Sequence, residues 1–128
     1  MSLASIKTNT EQYILDNWTE TPIFWDTQPV AGTDAILVKF SQVDRDVYGL
    51  GDGSGSGRKI DYTAMAIFFY GSNTLKALQY IDSMNTLLEC YEFDNTIYSV
   101  GKPDGSGGLD LDNGVVEMKI NYNSQTFN

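Results

Sequence analysis

Carboxylates are the side chains best placed to do chemistry in this chain, and they fall into three groups. Asp104, Asp110 and Asp112 lie within one nine-residue stretch that closes on an Asn113-Gly114 turn, a set of hard oxygen donors suited to a divalent cation. Asp52-x-Ser54-x-Ser56-Gly57 reads as the first half of an EF-hand calcium loop, but the twelfth position, which should carry a bidentate acid, is Thr63. Asp44, Asp46 and Asp61 fall on facing segments, where a glycosidase would need two rigid acids flanking a cleft. With Arg45, Arg58 and Lys59 beside them, these acids read as solvated or ion-paired. The residues assign no catalytic group, no cofactor and no committed metal site. A small calcium-dependent binding module built on Asp104, Asp110 and Asp112 stays open as the alternative.

The rest of the composition points the same way. The 128 residues contain no histidine, so the commonest general base, metal ligand and triad member is missing. The one cysteine, Cys90, lies on the apolar side of a predicted helix and reads as a buried structural thiol. Gly49-x-Gly51-x-Gly53 precedes a strand, so it offers no helix N-terminus to a phosphate. Eight basic against 17 acidic residues leave a net charge of −9, which argues against gripping duplex nucleic acid but suits a wall past which DNA moves. The N-terminal residues lack the pattern of a signal peptide, and no apolar run approaches a membrane span, so a protein used without secretion or a membrane is expected.

The elements that must position these residues follow from periodicity. Leu3, Ile6, Thr10, Tyr13, Ile14 and Trp18 predict an amphipathic helix over 3–18, ended by Thr21-Pro22. Ile23-Phe24-Trp25 predicts a brief edge strand, and Trp18, Phe24 and Trp25 are assigned to the core. Two long strands follow, 35–46 and 58–70, the second buried on both faces near Tyr70. Gly71-Ser72-Asn73 is a stop-and-cap signal. Leu75, Leu78, Ile81, Met84, Leu87 and Leu88 predict a second helix to about Cys90, with Lys76, Gln79, Asp82 and Asn85 outward. Residues 96–100 and 115–122 predict a closing strand pair, and 124–128 a loose polar tail. This order predicts one α+β domain over 1–128, with a mainly antiparallel sheet, two helices on one face and a long projecting β-hairpin.

The hairpin connection is far longer than a turn needs. Its glycine- and serine-rich residues have no apolar core of their own, so ordering them costs entropy that a partner must offset. Asp44, Arg45, Asp46 and Tyr48 lead into it, Gly49, Gly51, Asp52 and Gly53 form it, and Arg58 and Lys59 leave it. Opposite charges on one arm are expected to fit a neighbouring copy, which makes this arm the candidate subunit interface.

In layout the chain resembles the tail terminator (tail completion) proteins of long-tailed bacteriophages. The resemblance runs through the opening helix ending at Asn17-Trp18, Thr21-Pro22-Ile23-Phe24-Trp25-Asp26, the strand at 36–40, the loop-tipped hairpin, the helix at 75–88 and the strand at 115–122. It implies a non-enzymatic virion protein at the head-proximal end of the tail, assembled in the host cytoplasm. It also implies a homohexameric ring that caps the tail tube, stops its polymerisation and presents a joining surface to a head-completion or neck protein. DNA would pass through the channel without specific binding. A head–tail connector or neck subunit is the related alternative. The resemblance gives the 101–114 loop no role.

Overall fold

The computed structural model describes residues 3–28, 30, 34–48, 58–88, 92–93, 96–103, 109–110 and 115–127. For Leu3, 41–48, 58–59, 61, 92–93, 96–103, 109–110 and Phe127 it describes the backbone alone. Helix α1 (Leu3–Asn17) is followed by β1 (Ile23–Trp25), β2 (Ala35–Tyr48), β3 (Arg58–Gly71), α2 (Thr74–Leu88), β4 (Glu92–Phe93), β5 (Thr96–Pro103), β6 (Leu109–Asp110) and β7 (Val116–Phe127). Among the described residues these strands make a seven-stranded sheet in the order β1-β2-β3-β7-β5-β4, with β6 on β7. Only β1 pairs in parallel, so the α+β class with a mainly antiparallel sheet is what the chain adopts.

Alternation along the strands sorts the sheet into two faces. Ile36 and Val38, Met65, Ile67 and Phe69, and Ile120 and Tyr122 form one buried cluster with Ile14 of α1, Trp18 just past its end, and Tyr80, Ile81, Met84 and Leu88 of α2. Both helices therefore lie on one face. They run antiparallel, because the Tyr13 hydroxyl donates to the Leu87 carbonyl at 2.9 Å while Trp18 meets the Tyr80 ring edge-on at 6.2 Å. Along α1, Ile6, Thr10, Ile14 and Trp18 repeat every fourth residue on the buried side. Buried Thr10 keeps its hydroxyl satisfied by donating to the Ile6 carbonyl at 2.8 Å.

The entry to α2 is built as the sequence predicts. The Asn73 side-chain oxygen accepts from the Lys76 amide at 2.9 Å, and its carbonyl accepts the first helical bond from Ala77 at 3.2 Å. Asp34, just before β2, accepts from the Ser72 amide and from the Tyr80 hydroxyl, fastening the strand to the start of the helix.

Three expectations need correction. α2 buries Ala77, Tyr80, Ile81, Met84 and Leu88, so Leu75 and Leu78 are exposed, at 64% and 43%. Tyr80 and Ala77 win the inward stripe because they share it with Ile81 and Met84, whereas Leu78 sits more than a quarter of a turn away and Leu75 nearly half a turn. The expected loose tail is strand: β7 runs to Phe127, and Ser124 and Thr126 are buried. Its polar residues pair with β3 and β5, and cross-strand neighbours rather than hydropathy decide the outcome. Finally, β3 is not half of a free-standing arm. β2 and β3 do pair from Ala35↔Tyr70 to Tyr48↔Arg58, but β7 accompanies β3 as far as Ile60↔Phe127. The connecting residues 49–57 lie outside the described residues.

Candidate assembly surface

The backbone register shows where the charged hairpin residues start from. Asp44 stands opposite Tyr62, Arg45 opposite Asp61, Asp46 opposite Ile60 and Tyr48 opposite Arg58, with Lys59 opposite Val47. Gly49, Gly51, Asp52 and Gly53 fall outside the described residues.

So do Asp104 and Asp112 of the carboxylate loop, and Cys90; Asp110 is placed by its backbone in β6, opposite Val116. Among the described residues no group of three or more metal-ligating side chains converges. Thr63, the twelfth residue of the incomplete calcium loop, belongs to β3. It is buried there and hydrogen-bonded to Ser124 of β7, turned to the sheet interior rather than to a loop cation.

The helix-bearing side carries an electrostatic clasp. The Lys7 ammonium donates to Glu11 one turn along α1 and to Asp26 at 3.1 Å, and lies 5.6 Å from the Phe40 ring centre. The Glu11 hydrogen bond, assisted by Asp26, raises its pKa against a partial loss to desolvation. Asp26 adopts the left-handed conformation, φ 54°, while its amide donates to the Val38 carbonyl at 2.8 Å. The clasp thus ties α1 to the turn after β1. Further along, Asn17–Glu20 and Ser83, Thr86 and Leu87 of α2 border an open depression of about 320 Å³.

The opposite face carries no helix among the described residues. Leu37, Tyr70 and Val115 are buried there with Phe24, Val30 and Phe68 against them. Phe68 sits between two ammonium groups, Lys39 at 5.5 Å and Lys119 at 5.7 Å from its ring centre. The lysine stems cover apolar sheet surface and keep their charges at the rim. Nearby, burial and a hydrogen bond to the Glu117 carboxylate hold the Tyr70 phenol well above its ordinary pKa. Sequence reasoning missed this bracket. Its signal is present, since Lys39, Phe68 and Lys119 come together once Leu37↔Phe68 and Phe68↔Lys119 are aligned, but that alignment is not local.

This surface offers charged and aromatic contacts on both faces and, among the described residues, a sheet whose borders are only partly covered. β1 covers β2 at Ile36–Val38, and β4 covers β5 at Thr96 and Ile97. No protein-family model matches the chain, and no curated protein matches it. Among the described residues no helix is long and apolar enough to cross a membrane.

Proposed function

We propose that this protein is a structural virion component of the tail terminator kind: a homo-oligomeric, hexameric ring that caps a phage tail tube, stops its polymerisation and offers the head-proximal joining surface. It acts without catalysis or cofactor. The observation that carries the reading is the architecture itself. Helix, short strand, long antiparallel pair, helix and closing strand occur in the order of that family's layout, with both helices on one face of the sheet. This leaves the other face and the borders for neighbouring copies, the tube protein and a neck protein. Each copy adds a charge of −9, so a ring of them repels the DNA backbone in transit rather than binding it.

The test is negative-stain microscopy of lysates from a phage lacking this gene. Overlong tail tubes beside separate filled heads are expected. Normal-length tails that fail to join heads would assign the protein to the neck instead, and complete particles would overturn both assignments.

A further inference from the structure

The helix-free face of the sheet is apolar at its centre and basic at its flanks. Leu37, Phe68 and Lys119 stand in one cross-strand row, and Lys39, Ala66 and Asn121 in the next. Phe68 rises between the two ammonium groups, 5.5 Å from Lys39 and 5.7 Å from Lys119. Ala66 and Ala64 follow on the same side of β3 and reach no further than a methyl group. The strand therefore drops to a low step beside the Phe68 ring. Among the described side chains of β2, β3 and β7 on this face, Glu117 is the one acid, and the Tyr70 hydroxyl engages it. A sheet apolar on both faces thus covers only one of them with its own helices.

Helix α2 carries the complement. Among the described residues the exposed large apolar side chains are Leu15, Leu75 and Leu78, all in the helix layer. At about 100° per residue, Leu75, Leu78 and Asp82 fall within about 60° of one another, on the side of α2 turned from the core. Asp82 is exposed and stands one turn beyond Leu78. Lys76, the only cation of α2, lies about 100° round from Leu75 and leaves this stripe without positive charge.

We propose that the outward stripe of α2 in one copy docks on the helix-free sheet face of a second copy. Leu75 and Leu78 then settle on the alanine step against Phe68, and Asp82 meets the Lys39 and Lys119 ammonium groups. A copy of this chain is the occupant because one sequence supplies both halves of the match. An apolar stripe ending in an acid faces an apolar step flanked by two cations. Each helix layer would lie between two sheets, its own and its neighbour's. Two different faces are joined, so the contact is head-to-tail and repeats from copy to copy. It deepens the ring reading and rests on it for closure at a fixed number of copies.

Sedimentation of the whole protein from micromolar to millimolar concentration tests this. Wild type is expected to associate as concentration rises, and less so in high salt. Asp82→Lys should weaken association about tenfold or more, because it sets like charges together. Lys39→Glu combined with Lys119→Glu should do the same, and adding Asp82→Lys to that pair should restore association. Leu78→Ser, at an exposed position, should keep the circular dichroism melt and weaken association. Should the lysine pair prove necessary for folding, Asp82→Lys and Leu78→Ser decide the matter alone. Association at the wild-type level in either of these two, or no recovery in a folded triple variant, overturns the contact and leaves the ring reading standing. A wild type that stays monomeric at millimolar concentration overturns it too, and the ring reading is then judged by the tail-length experiment.

Discussion

Gly71→Ala should destabilise the protein by about 2 kcal/mol, although it adds a single methyl group. A Cβ at this position would lie 2.7 Å from the Ala77 amide nitrogen, 3.0 Å from the Asn73 carbonyl oxygen and 3.2 Å from the Ala77 Cα. All three atoms are backbone, and the first two are the donor and acceptor of the first hydrogen bond of α2. The methyl therefore cannot be accommodated by a rotamer change. The helix start must back away, straining the junction by about 1–3 kcal/mol and loosening a cap worth about 1 kcal/mol. The stiffer unfolded chain returns about 0.4–1 kcal/mol. For a domain of this size about 4 °C of Tm corresponds to each kcal/mol, so a fall of about 8 °C is expected in a calorimetric or circular-dichroism melt. A fall of less than about 2 °C, or a rise, would refute the steric argument.

The cap can be probed alone: Asn73→Ala removes the side-chain acceptor of the Lys76 amide and should cost about 1 kcal/mol in urea unfolding. A second expectation concerns alkaline pH. Tyr122 through burial, and Tyr70 and Tyr80 through burial with Glu117 and Asp34 beside them, all hold their protons more tightly folded than unfolded. Their contribution is complete below the ordinary phenol pKa of about 10 and declines as pH rises past it toward the folded values. The urea midpoint should therefore fall above about pH 10, and less steeply in Tyr122→Phe. A midpoint that is level from neutrality to well above the phenol range would contradict this.

The elements were largely legible because their signals are local. The fourfold spacing Ile6–Thr10–Ile14–Trp18 marks α1, and Gly71-Ser72-Asn73 marks the α2 cap that Lys76 and Ala77 use. What was not legible depends on who lies beside whom. The sequence Ser124-Gln125-Thr126 looks like a tail until Thr63 and Thr96 are set opposite it. Leu75 and Leu78 outweigh Ala77 and Tyr80 in hydropathy, yet the helix turns the second pair inward because Tyr80 can reach both Trp18 and Asp34. The charged residues of the candidate arm were read as a group, and the register adds the Arg45–Asp61 opposition that only a known strand alignment supplies.

The buried hydroxyl pair of Thr63 and Ser124 has a bearing on how the chain finds its alignment. β3 and β7 are far apart in sequence and share no turn to count residues for them, so something in the interior must proofread their pairing. A slip by one residue is rejected at once, because it turns every apolar side chain to the wrong face. A slip by two is subtler, since it keeps the faces. In one direction it sets Thr63 against Tyr122, and in the other Ser124 against Met65, both of which are fully buried. Each hydroxyl left without its mate in that setting costs about 1–3 kcal/mol. Two small polar groups, contributing little to the core themselves, thus act as a key that only one alignment turns.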